Sequence, residues 1–155
     1  MRRRKNSRSK GKIRNATSAV YKGIKFRSKL ELFTYKQLED AGIKSMYEEN
    51  TYTLMPGFYP LMDSYEPSKG EYKNNTKKVR GITYTPDFVD PYGKWIIEVK
   101  GYANDVFPIK WKLFKMYLME NDMEEYTLYL PKNQKQVKET IELIKKLENE
   151  YKNYQ

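Results

Sequence analysis

Two acids and a lysine stand at the ends of two short apolar runs. Asp87 lies in Tyr84-Thr85-Pro86-Asp87-Phe88, and Glu98 and Lys100 lie in Trp95-Ile96-Ile97-Glu98-Val99-Lys100-Gly101. The turn-forming Asp90-Pro91-Tyr92-Gly93 separates them. In an antiparallel hairpin Asp87 and Glu98 can face each other, and Lys100, two residues past Glu98, projects from the same sheet face. Carboxylates aimed at one point can hold a divalent cation, which lowers the pKa of a bound water and neutralises charge on a phosphoryl group. Lys100 would then orient that water or help deprotonate it. Val99, with its side chain turned to the core, leaves its carbonyl as a further oxygen ligand. A Glu-x-Lys alone is ordinary in a solvated strand. Here Glu98 closes an apolar run that does not alternate, where a carboxylate is costly unless a metal or partner compensates it.

The chain has no cysteine and no histidine. Disulfides, thiol nucleophiles, Cys/His zinc sites and Ser-His or Cys-His triads are thereby excluded. Any catalysis must run on carboxylates, lysines and hydroxyls. The metal such groups suit is a hard one, Mg²⁺ or Mn²⁺, one or two ions per site.

The net charge of +10 is unevenly placed. Arg2, Arg3, Arg4, Lys5, Arg8, Lys10, Lys12 and Arg14 form a basic arm without an acid, leaving 22 basic and 20 acidic residues for the rest. Such an arm suits a polyanion, since each phosphate it neutralises releases counterions. The same composition also fits a solubility tail or an RNA-associated protein, and it says nothing about catalysis. No apolar stretch approaches the ~20 residues of a membrane span. No apolar segment follows the basic N-terminus, so no secretory signal is expected.

These residues must be positioned by surrounding elements. Residues 1–25 read as a flexible basic arm and linker, and residues 26–155 as one domain. Ser28 and Glu31 have capping-box spacing, and Leu30, Phe33, Leu38 and Ala41 recur near helical spacing, predicting a helix over Ser28–Ala41 that Gly42 ends. Ile43–Leu54 leans to a strand. Residues 56–80 lose periodicity among Pro56, Gly57, Pro60, Pro67 and Gly70, and read as a long loop or excursion that packs on the body or extends the hairpin. Its Tyr59, Tyr65 and Tyr72, with nearby lysines, could also meet bases and phosphates. Ile82–Phe88 and Lys94–Lys100 read as the two hairpin strands, Val106–Met119 as a helix, Tyr126–Leu130 as a strand and Gln134–Tyr151 as an amphipathic helix. Lys110 and Lys112, flanking Trp111, are candidates for phosphate contact.

The motif Pro86-Asp87 … Glu98-Val99-Lys100 resembles that of the PD-(D/E)XK nuclease superfamily, and the expected αβββαβ order resembles its α/β, restriction-endonuclease-like core, here with an extra C-terminal helix and the basic arm. Phe26-Arg27-Ser28-Lys29-Leu30-Glu31, Lys36-Gln37-Leu38-Glu39, Gly42-Ile43-Lys44 and Tyr47-Glu48-Glu49 are similar to segments of the bacteriophage endonuclease I type of Holliday junction resolvase and related small phage nucleases. The likeness covers about half the chain, roughly Lys25–Gly101. It implies Glu31, Asp87, Glu98 and the Val99 carbonyl as metal ligands, with Lys100 beside the attacking water. It also implies DNA as substrate, with Arg27 among the contacts, and the cytoplasm of a phage-infected or prophage-carrying bacterium as the setting. The excursion at 56–80 and the segment after Gly101 depart from the resolvases.

The expectation is therefore a metal-dependent endodeoxyribonuclease acting on branched DNA. A homodimer would supply two symmetric cuts. A general or restriction-like nuclease without junction specificity is the nearest alternative. A non-catalytic DNA-binding protein on the same fold, or a basic RNA-binding protein, would explain the arm but not the acids.

Overall fold

A computed structural model describes residues 17–101 and 106–153. The arm cations Arg2 to Arg14 lie outside the described residues.

Ten short strands and three helices follow in order: β1 (Ala19–Tyr21), β2 (Ile24–Phe26), α1 (Lys29–Asp40), β3 (Met46–Tyr47), β4 (Tyr52–Met55), β5 (Tyr65–Ser68), β6 (Glu71–Asn74), β7 (Ile82–Tyr84), β8 (Phe88–Val89), β9 (Trp95–Ile97), α2 (Phe107–Glu120), β10 (Thr127–Tyr129) and α3 (Gln134–Asn153). The class is mixed α/β. Among the described residues no helix is long and apolar enough to cross a membrane.

The central sheet has the order β10-β9-β8-β3. β8 and β9 are antiparallel, and β10 returns parallel to β9 after α2. Strand alternation divides β9 between two cores. Trp95, Ile97 and Val99 pack with Phe26, Leu38, Ile141 and Ile144 in one cluster that joins α1 and α3. Ile96 packs with Tyr84, Val89, Phe107, Phe114 and Leu118 in the other, beneath α2. A strand covered on both faces needs apolar side chains at every position, which is why Trp95-Ile96-Ile97 does not alternate. All three are fully buried. Truncating Trp95 to alanine would cost about 3–5 kcal/mol in transfer and cavity terms.

Helix α1 starts as its residues require: Ser28 is extended at the N-cap and its hydroxyl accepts from the Glu31 N–H at 3.1 Å. Its end is marked by Gly42, at φ +70. The turn joining β8 to β9 is closed by Asp90, whose carboxylate accepts from the Lys94 N–H at 2.9 Å.

Three expectations are corrected. Residues 19–25, expected within a linker, form with Phe26 the β1–β2 hairpin. Lys22 and Gly23 have φ of 50 and 79 at its turn, the positive pair that a tight two-residue hairpin turn demands, and Tyr21 and Ile24 pack on the core. Ile43–Leu54 is not one strand: Glu48 takes φ 51, turning the chain so that β3 joins the central sheet while β4 pairs with β7. Ile82–Phe88 is likewise split, because the chain leaves β7 at Thr85 and rejoins the central sheet at Phe88.

Of the forms expected for 56–80, the structure has the excursion, a ribbon that continues a strand pair. β5 and β6 pair as an antiparallel hairpin, and a Phe58–Val79 bridge ties its stem to the β4–β7 pair.

Candidate active site

The register Phe88↔Ile97 and Val89↔Ile96, continued one step, sets Asp87 opposite Glu98 just beyond the last pair of β8 and β9. Both side chains fall on the α2 side, as alternation dictates. The Val99 N–H donates to Asp87 Oδ2 at 2.7 Å, and the Glu48 N–H donates to the Asp87 carbonyl at 3.0 Å. The aspartate is thus fixed from its side chain and its backbone. Lys100 emerges on the Glu98 face, with Nζ 3.2 Å from Glu98 Oε1 and 4.6 Å from the centre of the Phe107 ring. Val99 is buried in the core, as expected.

Glu31 comes from the first turn of α1. Its Oε2 accepts from the Tyr47 hydroxyl at 2.7 Å and the Arg27 N–H at 3.0 Å, and its Oε1 from the Ser28 hydroxyl at 2.8 Å. The carboxylate therefore extends the capping motif one residue upstream, and Tyr47 anchors it from β3.

Glu31, Asp87, Glu98, Val99 and Lys100 line one open cavity of about 410 Å³, together with Arg27, Tyr84 and Lys110. The three acids are only 6%, 8% and 4% exposed, respectively for Glu31, Asp87 and Glu98. Burial, then repulsion from Glu98 and Glu31, pushes the Asp87 carboxyl up to about 8. Burial also raises Glu98, against the opposing pull of the Lys100 ammonium. Neither Glu98 Oε2 nor the Tyr84 hydroxyl has a hydrogen-bond partner among the described residues.

Of the cations on the cavity, Lys100 pairs with Glu98 while Arg27 and Lys110 are bonded to Glu48 and the Thr83 carbonyl, so a hard cation would stabilise the ionised form of the buried acids. Asp87, Glu98 and the Val99 carbonyl are all-oxygen donors of the kind Mg²⁺ or Mn²⁺ accepts. Glu31 lines the same cavity; its Oε2 accepts two hydrogen bonds and its Oε1 one. Among the described residues no three acidic side chains are gathered tightly enough to enclose an ion as they stand. The donor set fits a two-carboxylate site, to which Glu31 could add only through the remaining lone pair of Oε1 or by exchanging a hydrogen bond.

The remaining candidates divide. Lys110 reaches the cavity, its Nζ donating to the Thr83 carbonyl at 3.1 Å. Arg27 stands at the rim, its Nε 2.9 Å from Glu48. Lys112 is exposed on α2 and does not line the cavity. Tyr47 and Tyr84 escaped sequence reasoning. Tyr47 touches Glu31 across 16 positions, a separation that leaves no local signal, whereas Tyr84 sits three residues before Asp87 and could have been suspected.

A family model described as "Protein of unknown function (DUF1064)" matches residues 9–147. No curated protein and no solved structure matches the chain.

Proposed function

The chain belongs to the DUF1064 family, and we propose that it is a metal-dependent endodeoxyribonuclease with a PD-(D/E)XK-type core. The observation that carries this reading is the buried Asp87–Glu98 pair opening, with Lys100 and Glu31, onto one solvent-accessible cavity. Buried acids without compensating cations are expensive, and a site that binds a divalent ion and an anionic substrate repays that cost.

Asp87, Glu98 and the Val99 carbonyl would hold Mg²⁺ or Mn²⁺, which when bound supplies an acidified water and neutralises charge on the phosphate. Lys100 orients and helps deprotonate the nucleophile on the Glu98 side. Tyr84, beside Glu98, stands ready to bond that carboxylate or a water. Lys110 and Arg27 are placed to receive the phosphodiester backbone, and the arm cations would bind it without reading sequence. The bond hydrolysed is a P–O bond, with no covalent enzyme intermediate.

Branched DNA is the substrate the motif likeness favours, with a homodimer delivering paired cuts and a phage-infected bacterium as setting. The deciding experiment incubates wild type and Asp87→Ala with labelled four-way junction and linear duplex, in Mg²⁺ or EDTA. Cutting at the branch that needs both metal and Asp87 is expected. Equal cutting of both substrates would retain the nuclease and discard junction specificity.

One observation favours a second reading. Glu31 is held by three hydrogen bonds from its own helix start and Tyr47, as it would be in a non-catalytic DNA-binding protein on this fold. Binding by wild type with no cutting in Mg²⁺ or Mn²⁺ would select it.

A further inference from the structure

We propose that the ribbon of residues 56–80 is a second nucleic-acid contact, an arm that lies in the major groove of duplex DNA beside the phosphate being cut. The proposal rests on the reading of DNA as substrate and adds where the flanking duplex is held.

The ribbon is rooted at the candidate active site. Thr83 and Tyr84 of β7 line the cavity, and Lys110 fastens the Thr83 carbonyl from α2. From there the β4–β7 pair leads through the Phe58–Val79 bridge to the β5–β6 hairpin. At the stem, Gly57 and Gly81 let the two backbones cross closely: a Cβ on Gly81 would lie 2.8 Å from the Met55 carbonyl oxygen and 3.1 Å from the Gly57 nitrogen. Glycine here fixes where the arm points. At the tip, Lys69 and Gly70 have φ of 53 and 86, the tight hairpin turn that presents Lys69 outward.

The charge on the ribbon is sorted. Its acids are held by the ribbon itself: Glu71 pairs with Lys73 at 2.8 Å, while Asp63 and Glu66 keep their charge but are hydrogen-bonded by Asn74 at 2.6 Å and by Asn75 and Ser64 at 2.7 and 2.8 Å, leaving Lys69, Lys73, Lys77, Lys78 and Arg80 against three acids. Lys69, Lys77, Lys78 and Arg80 are exposed and make no ion pair among the described residues. Exposed Tyr65 and Tyr72 form a cross-strand pair with ring centres 6.1 Å apart. A two-stranded ribbon fits the B-DNA major groove, and unpaired lysines with tyrosine hydroxyls are the groups that take phosphate oxygens. Exposed Leu61 and Met62 would suit a protein partner instead, but the unpaired cations favour the polyanion.

The test measures binding apart from cleavage. Fluorescein-labelled duplex is titrated in EDTA, across a salt series, with wild type and the triple variant Lys69→Glu, Lys77→Glu, Lys78→Glu. The expected result is affinity weaker by about tenfold or more and a log Kd–log salt slope reduced by about 2 to 3. A hydroxyl-radical footprint should lose protection on one side of the cut while the rest persists. Unchanged affinity and slope overturn the proposal, and so does a change of oligomeric state with binding unaltered, which would assign the ribbon to a second copy of the chain. Wild type that binds duplex through these lysines but never cuts would remove the nuclease reading and leave the arm standing.

Discussion

Asp87 and Val99 are joined across the β8–β9 hairpin by a 2.7 Å hydrogen bond from the Val99 N–H to Asp87 Oδ2. That bond ties Asp87, which lines the cavity with Glu98, to Val99 and draws together two of the residues the proposed metal site needs. It also separates the structural part of Asp87 from its chemical part, because an asparagine can keep the acceptor while losing the charge.

Asp87→Asn should therefore fold and bind DNA at least as well as wild type, since it keeps the acceptor for the Val99 N–H and cannot place a negative charge toward the backbone at any pH. Cleavage should fall by about a thousandfold or more, as expected when a ligand that acidifies water is lost. Single-turnover cutting and duplex titration on the same preparation read both quantities. Retained cutting would defeat the metal-site assignment.

The buried acids make metal-free stability depend on pH in a definite direction. Asp87 is held up to about 8, from an ordinary value of 3.8, mainly by burial and then by Glu98 and Glu31, and Glu98 is raised by burial. The folded state thus binds protons more tightly than the unfolded chain, so these groups favour folding most below about pH 4 and lose that contribution as pH rises through 8. In EDTA the Tm should fall between pH 6 and 9. Mg²⁺ competes with the same protons, so the Tm increase it causes should grow over that range. Thermal scans with and without Mg²⁺ check both. An Mg²⁺ effect that is absent, or independent of pH, would show that the acids are not the binding site.

Tyr47→Phe tests the double placement of Glu31. The hydroxyl donates to Glu31 Oε2 at 2.7 Å, and its loss leaves a buried carboxylate oxygen with the Arg27 N–H alone. A cost of about 1–2 kcal/mol is expected in urea unfolding. If Glu31 must turn to a metal during the reaction, the same variant frees it to do so and Mg²⁺ affinity should rise. If Glu31 only caps α1, stability falls while Mg²⁺ affinity stays put.

Much of this arrangement was legible where a local signal existed. Ser28 and Glu31 announced the start of α1, Asp90–Gly93 the turn before β9, and the unbroken Trp95-Ile96-Ile97 a strand covered on both faces. The β1–β2 hairpin was missed although Lys22-Gly23 carries a turn signal, because only three residues pair on each side. The break between β3 and β4 could not be read, since it depends on a glutamate adopting positive φ at Glu48. The ribbon was read only as a loop or excursion because of Pro56, Pro60 and Pro67, whereas Pro67 lies within β5 opposite Tyr72, tolerated because each strand of a two-stranded pair has a free edge. Tyr47 and the Val99 N–H act through tertiary contacts, which periodicity does not encode.

Lys100 is the residue whose replacement best separates water activation from metal binding. Its Nζ lies 3.2 Å from Glu98 Oε1 and over the Phe107 ring, so its stem is packed and its charge points into the cavity. Lys100→Met keeps the packing and removes the ammonium. Glu98 then loses the cation that opposes its burial, and its carboxyl should titrate still higher. Mg²⁺ should consequently bind more weakly than to wild type at low pH, by a factor that shrinks as the pH rises. Cleavage at saturating Mg²⁺ should drop by about a hundredfold or more, the order expected for a lost general acid–base group. A rate profile against pH at saturating Mg²⁺ distinguishes the cases. Recovery of the wild-type rate at high pH would mean that Lys100 serves only to keep Glu98 charged, whereas a deficit that persists would place it at the water itself.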